Sequence, residues 1–389
     1  MLNFISLADI ATNTTALAIA VFAFLFVLSI VVFVHELGHF LVARWCGVNI
    51  QAFSIGFGKE IAGFHDRHGT RWRVAWIPLG GYVKFMDDED ATSAGASKSA
   101  DEMTRSEREG AFHLKPLWQR AAVVVAGPMA NFLFAIVVFA IMFSIFGIRK
   151  TEPRVGAVLP EKPAAVAGIK AGDLIREIDG QQIESFIDIQ RAVRMRFDQP
   201  LTVVVERDGE RLPLTITPFK DSADDGLGGK MTRGLIGIRS SADPKSVVVS
   251  QPGPIEALGL GVQETGFVIT TTLAYIRDIF IGRQDAQQIG GVVRIAEATR
   301  QVVNIRPEML PQFIALISVS IGLINLFPIP LLDGGHLMFY AIEAVRRRPL
   351  SENMQEIAHR FGFAVVMALM VFALWNDKHI VIQRWLGLG

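Results

Sequence analysis

Four stretches of this chain, at about 16–46, 120–148, 312–344 and 361–376, are long and apolar enough to cross a bilayer, and nothing else in the sequence narrows the possible folds so far. Hydrocarbon offers no partner for backbone N–H and C=O groups, so such stretches must be helices. The fourth is the shortest, with room to extend to Ile382. Of the 389 residues 51% are hydrophobic, and the 20% that are charged cluster between the apolar runs, which predicts a polytopic α-helical membrane protein carrying a soluble insert. With 38 basic against 38 acidic residues there is no electrostatic footprint for a nucleic acid, and none is expected as a partner. A single cysteine, Cys46, excludes an internal disulfide and a thiolate metal cluster, and reads as a passive residue at a helix end. The first fifteen residues carry no Lys or Arg, and the run after them is too long for a signal-peptide core, so a retained span is expected rather than a cleaved leader.

Inside the first run stands His35-Glu36-Leu37-Gly38-His39. Positions four apart share one helix face, so the two histidines can grip one metal ion while Glu36 stands beside it to handle protons. A carboxylate at mid-bilayer costs on the order of 2.5–3.5 kcal/mol, so three ionisable residues there need a compensating role. A catalytic zinc takes three protein ligands and leaves a fourth position for water, so another ligand is required. The third run contains Asn325-Leu-Phe-Pro328-Ile-Pro330-Leu-Leu-Asp333-Gly334-Gly335-His336. Its prolines and glycines break the helix at membrane depth, which is tolerated only where freed backbone groups are buried in protein or line a cavity. Asp333 is the preferred third ligand, projecting from the break. Its alternative role is to cap the restarting helix, and His336 is the competing ligand. Asn325 suits either a substrate carbonyl or an orphaned backbone group at the break.

Basic residues set the expected orientation. Lys59, Arg67, Arg71, Arg73 and Lys84 follow the first span, and Arg346, Arg347, Arg348 and Arg360 follow the third, so both connections should be cytoplasmic. Both termini and the long segment between spans two and three then lie on the far side. Spans one and three run the same way, which puts Asp333 at a depth similar to His35 and His39.

The pairing of His35-Glu36-x-x-His39 with Asn325-x-x-Pro328-x-Pro330-x-x-Asp333-Gly334 resembles the site-2 proteases, intramembrane zinc metalloproteases, and among them the bacterial regulator-of-sigma-E group. Phe53-Ser-Ile-Gly56-Phe57-Gly58, Pro78-Leu-Gly80-Gly81-Tyr82-Val83-Lys84 and Ala126-Gly127-Pro128-x-x-Asn131-Phe132 extend the likeness over nearly the whole chain. The resemblance implies an inner-membrane endopeptidase of bacterial type that cuts single-pass proteins within the bilayer, such as anti-sigma factors or remnant signal peptides. It implies His35, His39 and Asp333 on Zn2+ with Glu36 as base, which agrees with the chemistry read from the residues. Residues 50–85 alternate around a turn at 66–69 and read as a β-hairpin. In the family the corresponding element dips into the membrane and pairs with substrate, which makes Gly56, Phe57 and Gly58 candidate substrate-binding residues. Ordinary turn chemistry is the other reading of those glycines.

Residues 1–149 thus comprise spans one and two with the hairpin, 150–240 a soluble α/β insert, 241–311 amphipathic segments lying along the bilayer surface, and 312–389 spans three and four. The insert shows a strand at 154–159, a short helix after Pro163, a longer helix at 186–196, two strands around Asp208-Gly209 and a last strand at Gly234-Leu235-Ile236-Gly237-Ile238. It resembles a single PDZ domain of circularly permuted order on the periplasmic side. Gly234 to Ile238 and the helix at 186–196 would form its groove, for a peptide C-terminus, or else the domain filters substrates by size. Residues 87–109, acidic and rich in Ser and Ala, read as a flexible cytoplasmic linker. Three rival functions remain: a non-catalytic PDZ-bearing scaffold, an ion-coupled transporter, for which internal repeats are missing, and a metal enzyme acting on lipid.

Overall fold

A computed structural model describes residues 7–86, 104–224, 230–241, 243, 246–286 and 289–380. Two units divide the chain: 1–139 with 291–377, and 140–290 with the C-terminal residues.

The first unit opens with α1 (Leu7–Trp45), followed by β1 (Ile50–His65), β2 (Arg71–Phe85), a short α2 (Arg105–Gly110) and α3 (Leu117–Phe146), which continues into the second unit. Among the described residues four helical stretches are long and apolar enough to span a bilayer, at Val21–Trp45, Leu117–Phe146, Pro307–Asn325 and Asn353–Lys378. Leu41, Trp45, Leu133 and Ile145 are exposed while His35, Asn131 and Ser318 are buried, the inversion of a water-soluble protein. Cys46 is buried just past the end of α1 and is free, as expected. The linker proposed for 87–109 is too long at its end. Thr104 caps α2, its hydroxyl and the Glu107 carboxylate forming a reciprocal box, so 105–110 is helical; residues 87–103 lie outside the described residues.

The hairpin forms where the alternation places it, but each strand is bent and pairs twice. Phe53 lies opposite both Val83 and Trp72, and Trp72 also faces Phe64, so the order across the sheet is 60–65, 71–75, 52–55, 81–83. The bend in β1 comes at Gly56 and Gly58, whose φ angles of +87° and +90° side chains rarely adopt. The turn is pinned to the end of α1 by Arg44 Nη2 on Asp66 Oδ2 at 2.5 Å. Burial pushes the Asp66 carboxyl up, but Arg44, the Trp72 indole and the amides of His68 and Thr70 outweigh it and hold the group below the usual carboxylate range.

The second unit carries the insert: β3 (Ile148–Thr151), β4 (Val155–Val158), α4 (Pro163–Val166), β5 (Leu174–Ile178), β6 (Gln181–Gln182), α5 (Phe186–Arg194), β7 (Leu201–Arg207), β8 (Glu210–Ile216), β9 (Phe219–Asp224), β10 (Lys230–Leu235), β11 (Ile238–Ser240), β12 (Val247–Ser250) and α6 (Pro254–Phe280). β6, β5, β7 and β8 make a four-stranded antiparallel sheet. Its buried face carries Ile175, Val203, Val205 and Ile216, and packs with Phe186, Ile189 and Val193 of α5 into one apolar core. The last strand is not the single one expected. β10 pairs with β9 and β11 with β4, and the chain changes partner at Ile236-Gly237, where Gly237 has φ of +88°. Alternation cannot show such a switch, because each piece keeps its period of two whichever strand it pairs with.

The chain re-enters the first unit through α7 (Val292–Ile305), a 3₁₀ turn at Pro307–Met309 and α8 (Leu310–Asn325). It closes with α9 (Asp333–Arg346) and α10 (Glu352–Ile380). The third apolar run is therefore two helices separated by 326–332, the break expected from its prolines. Leu331 sits in that break with φ of +99°, and a Cβ on Gly334 would lie 2.2 Å from the Phe327 carbonyl oxygen. Only glycine lets the restarting helix nest so closely into its own loop.

Candidate metal centre

Three side chains from two distant parts of the chain converge within the first unit. His35 Nε2 and His39 Nε2 are 3.1 Å apart, and the Asp333 carboxylate oxygens stand 3.1 Å from His35 Nε2 and 3.5 Å from His39 Nε2. Ligand atoms held about 2.0–2.1 Å from a tetrahedral zinc stand about 3.3–3.4 Å from one another, so these spacings fit one shared ion. Asp333 Oδ2 is buried without a hydrogen-bond partner. That oxygen faces His35 Nε2 while its twin Oδ1 faces His39 Nε2, and a buried carboxylate set against two imidazole nitrogens is costly unless something positive sits among them. Asp333 is the first residue of α9, and its carboxylate is turned to the histidines.

The rings are also held from behind. His39 Nδ1 donates to the Val123 carbonyl oxygen at 2.8 Å, and His35 Nδ1 lies 3.2 Å from Nδ2 of Asn131, which is fully buried in α3. α1 and α3 approach this closely because both are glycine at the crossing. A Cβ on Gly38 would come 2.3 Å from the Ala126 carbonyl oxygen, and one on Gly127 would come 2.3 Å from His39 Nε2 itself. Sequence reading missed Val123 and Gly127 as supports of the site, because α3 is apolar all round and no periodicity marks its inward face.

The three side chains line a cavity of about 340 Å³, with Glu36, Gly80, Gly81, Tyr82, Val83, Asn325 and His336 also in its wall. Glu36 sits against the hairpin, where a Cβ on Gly81 would come 3.1 Å from Glu36 Cγ. His336 shares the cavity, but its ring lies 5.8 Å from that of His359, outside the three-residue cluster. Asn325 ends α8 at the cavity wall. Gly56, Phe57 and Gly58 are placed elsewhere. The backbone that comes close to Gly56 is the hairpin's own, a Cβ there meeting the Ile77 carbonyl oxygen at 2.6 Å, and Phe57 stacks on Tyr82 with ring centroids 5.9 Å apart. The hairpin residues that reach the cavity are Gly80–Val83 and Phe85. Of the supposed groove residues, Gly234 and Leu235 end β10, Ile236 is buried in the insert core, Gly237 turns the chain and Ile238 starts β11. At Gly234 a Cβ would lie 2.2 Å from the Val193 carbonyl oxygen, so β10 and α5 are in direct contact there.

Residues 23–369 match the profile of Peptidase family M50. The chain belongs to that family. Metalloprotease MmpA of Caulobacter vibrioides is 43% identical over 375 residues, covering 91% of this chain and 94% of its own length. Proteins of Agrobacterium fabrum and Rhizobium meliloti, each named "putative zinc metalloprotease", are 48% and 47% identical over 354 residues, covering 91% of this chain and 94% and 95% of theirs. The site-2 protease resemblance and the expectation of a metalloprotease that uses zinc agree with this membership, as do the four apolar helices of a membrane protein.

Proposed function

We propose that this family M50 member is an intramembrane zinc endopeptidase that cuts the membrane-spanning segments of single-pass proteins, with His35, His39 and Asp333 holding the ion and Glu36 as the proton carrier. The observation that carries this reading is the convergence of two imidazole nitrogens 3.1 Å apart with a carboxylate whose oxygens lie 3.1 and 3.5 Å from them, one of those oxygens having no hydrogen-bond partner. When bound there, zinc would acidify water and polarise a carbonyl. Glu36, beside both histidines in the cavity wall, would take the proton of the attacking water and return it to the leaving amine. Asn325, on the same wall, has an amide able to hold a peptide group in place.

A helical substrate must be drawn out before its peptide bonds can be reached. Gly81–Val83 supports this step: the segment pairs with 53–55 on one side and lines the cavity beside Glu36. An extended substrate adding to that edge would run past the ion, with the glycines leaving room for its backbone. This moves substrate pairing from Gly56–Gly58 to Gly80–Val83. The exposed Ile61, Phe64, Trp76 and Ile77 suit a hairpin dipping into lipid, and Ile255, Leu258, Val262 and Phe280 give α6 an apolar stripe suited to the bilayer surface.

We read the insert as a permuted PDZ domain, which on the far side would screen substrates by size. The tight contact at Gly234 favours screening over capture of a peptide end between β10 and α5. The arginines after α9 support a cytoplasmic α9–α10 connection, with both termini and the insert periplasmic in a bacterial inner membrane. The deciding experiment is metal analysis together with cleavage of a single-span reporter by wild type and Glu36→Gln. The variant is expected to keep one zinc per chain and lose cleavage by about 10²–10⁴-fold; equal cleavage by both would remove Glu36 as the base.

A further inference from the structure

The two imidazoles are held in chemically different ways. A carbonyl oxygen only accepts, so the contact from Val123 puts the His39 proton on Nδ1 and leaves Nε2 with its lone pair towards Asp333. Behind His35 the atom at 3.2 Å is an amide nitrogen, which only donates. That orientation would make His35 Nδ1 the acceptor and move the ring proton to Nε2, the atom that faces His39 and Asp333. At the same time Asn131 Oδ1 is buried with no donor. The oxygen and nitrogen of a side-chain amide are nearly alike in shape, and only their partners tell them apart.

We propose that Asn131 is a positioning residue for the metal: its amide is turned so that Oδ1 accepts Nδ1–H of His35, which fixes the ring with Nε2 free to bind zinc. Both histidines then have the same arrangement, an oxygen behind Nδ1 and a lone pair in front. The oxygen that lacked a donor gains one. The backbone of Asn131 is anchored from the third apolar run, Ser318 Oγ donating to its carbonyl at 3.0 Å, while a Cβ on Gly322 would come 3.1 Å from Asn131 Cβ. The acceptor is thus held from two helices, and an acceptor behind a ligating histidine both orients the ring and raises its basicity.

The inference rests on His35 being a zinc ligand, and the test separates the two. Zinc affinity of the full-length protein in detergent is measured by competition with a chromophoric chelator for wild type, Asn131→Leu, Asn131→Asp and His35→Ala. Leucine has the size but no acceptor, and is expected to weaken binding about 10–100-fold. Aspartate accepts and cannot donate when ionised, and is expected to bind within about threefold of wild type. Wild-type affinity in Asn131→Leu, or an equal loss in Asn131→Asp, overturns the proposal. Wild-type affinity in His35→Ala overturns the ligand assignment instead. Should a position-131 variant fail to fold, the ¹⁵N resonances of the His35 ring in the zinc-loaded wild type decide: a protonated Nδ1 supports the acceptor role, a bare one overturns it.

Discussion

The candidate metal centre and the core of the insert are both buried, yet opposite forces organise them. In the insert, Ile175, Val203, Val205 and Ile216 are removed from water by a sheet and one helix, and a charged residue that is buried, such as Asp173, is paired. Burial of apolar area is the driving term, and roughly 1.5–3 kcal/mol accompanies each large side chain. In the membrane half the outside is as apolar as the inside, so that term is absent between helices. What selects the packing there is small residues at crossings, Gly38 and Gly127 above all, and polar side chains such as Asn131 and Ser318 that find partners only in one arrangement. One region tolerates changes of shape poorly and changes of charge well at its surface; the other depends on individual polar atoms.

That contrast can be broken or sharpened by substitution. The largest effect is expected for Asp333→Ala, which removes one of the three proposed ligands and should take zinc from about one per chain towards none by elemental analysis, while the insert stays folded. Retention of zinc would shift the third-ligand role to His336. Gly127→Val is next. It places carbon where a Cβ would already be 2.3 Å from His39 Nε2, and an overpacking cost of about 1–3 kcal/mol corresponds to roughly 5- to 150-fold in zinc affinity. If zinc binds unchanged, the two helices are not held as closely as described.

The converse experiment acts on the insert. Ile175→Ala should destabilise it by about 2–5 kcal/mol, read as faster hydrogen exchange in β5 and β7, with zinc content unaltered. The smallest effect concerns Asp173, buried and bonded at 2.7 Å from each carboxylate oxygen to Arg207. Burial pushes its carboxyl up, but Arg207 and the Lys170 amide and ammonium outweigh it and hold it below the usual carboxylate range. A depressed folded-state value means the stabilisation is present above the unfolded value near 4 and is lost as pH falls through the folded one. Exchange protection of the insert should therefore fall on acidification below about pH 4, and Asp173→Asn should start lower at neutral pH and show a shallower slope. An unchanged slope would mean other carboxylates carry the acid sensitivity.

Much of this is legible in the residue order alone. His35 and His39 share a face because a helix repeats every 3.6 residues, and the prolines and glycines around Asp333 announced a break in the third run. The hairpin followed from its alternation and turn residues. What escaped notice has a common cause. Double pairing of a bent strand, which brings Gly80–Val83 rather than Gly56–Gly58 to the cavity, leaves no mark in alternation, since each segment keeps its period of two whichever neighbour it acquires. The exchange of partners between β10 and β11 is hidden for the same reason.

Local spacing acts within one element, so the residue order was enough to set the number of long apolar helices, the kinds of donor available to a metal and the place where the third run must break. Which atoms meet is a matter of packing between elements far apart in the chain. The facing of Asp333 to two imidazole nitrogens, the acceptor of Val123 behind one ring and the amide of Asn131 behind the other depend on how closely α1, α3 and α9 approach. That closeness comes from glycines whose missing side chains matter only once a neighbour is there to fill the space.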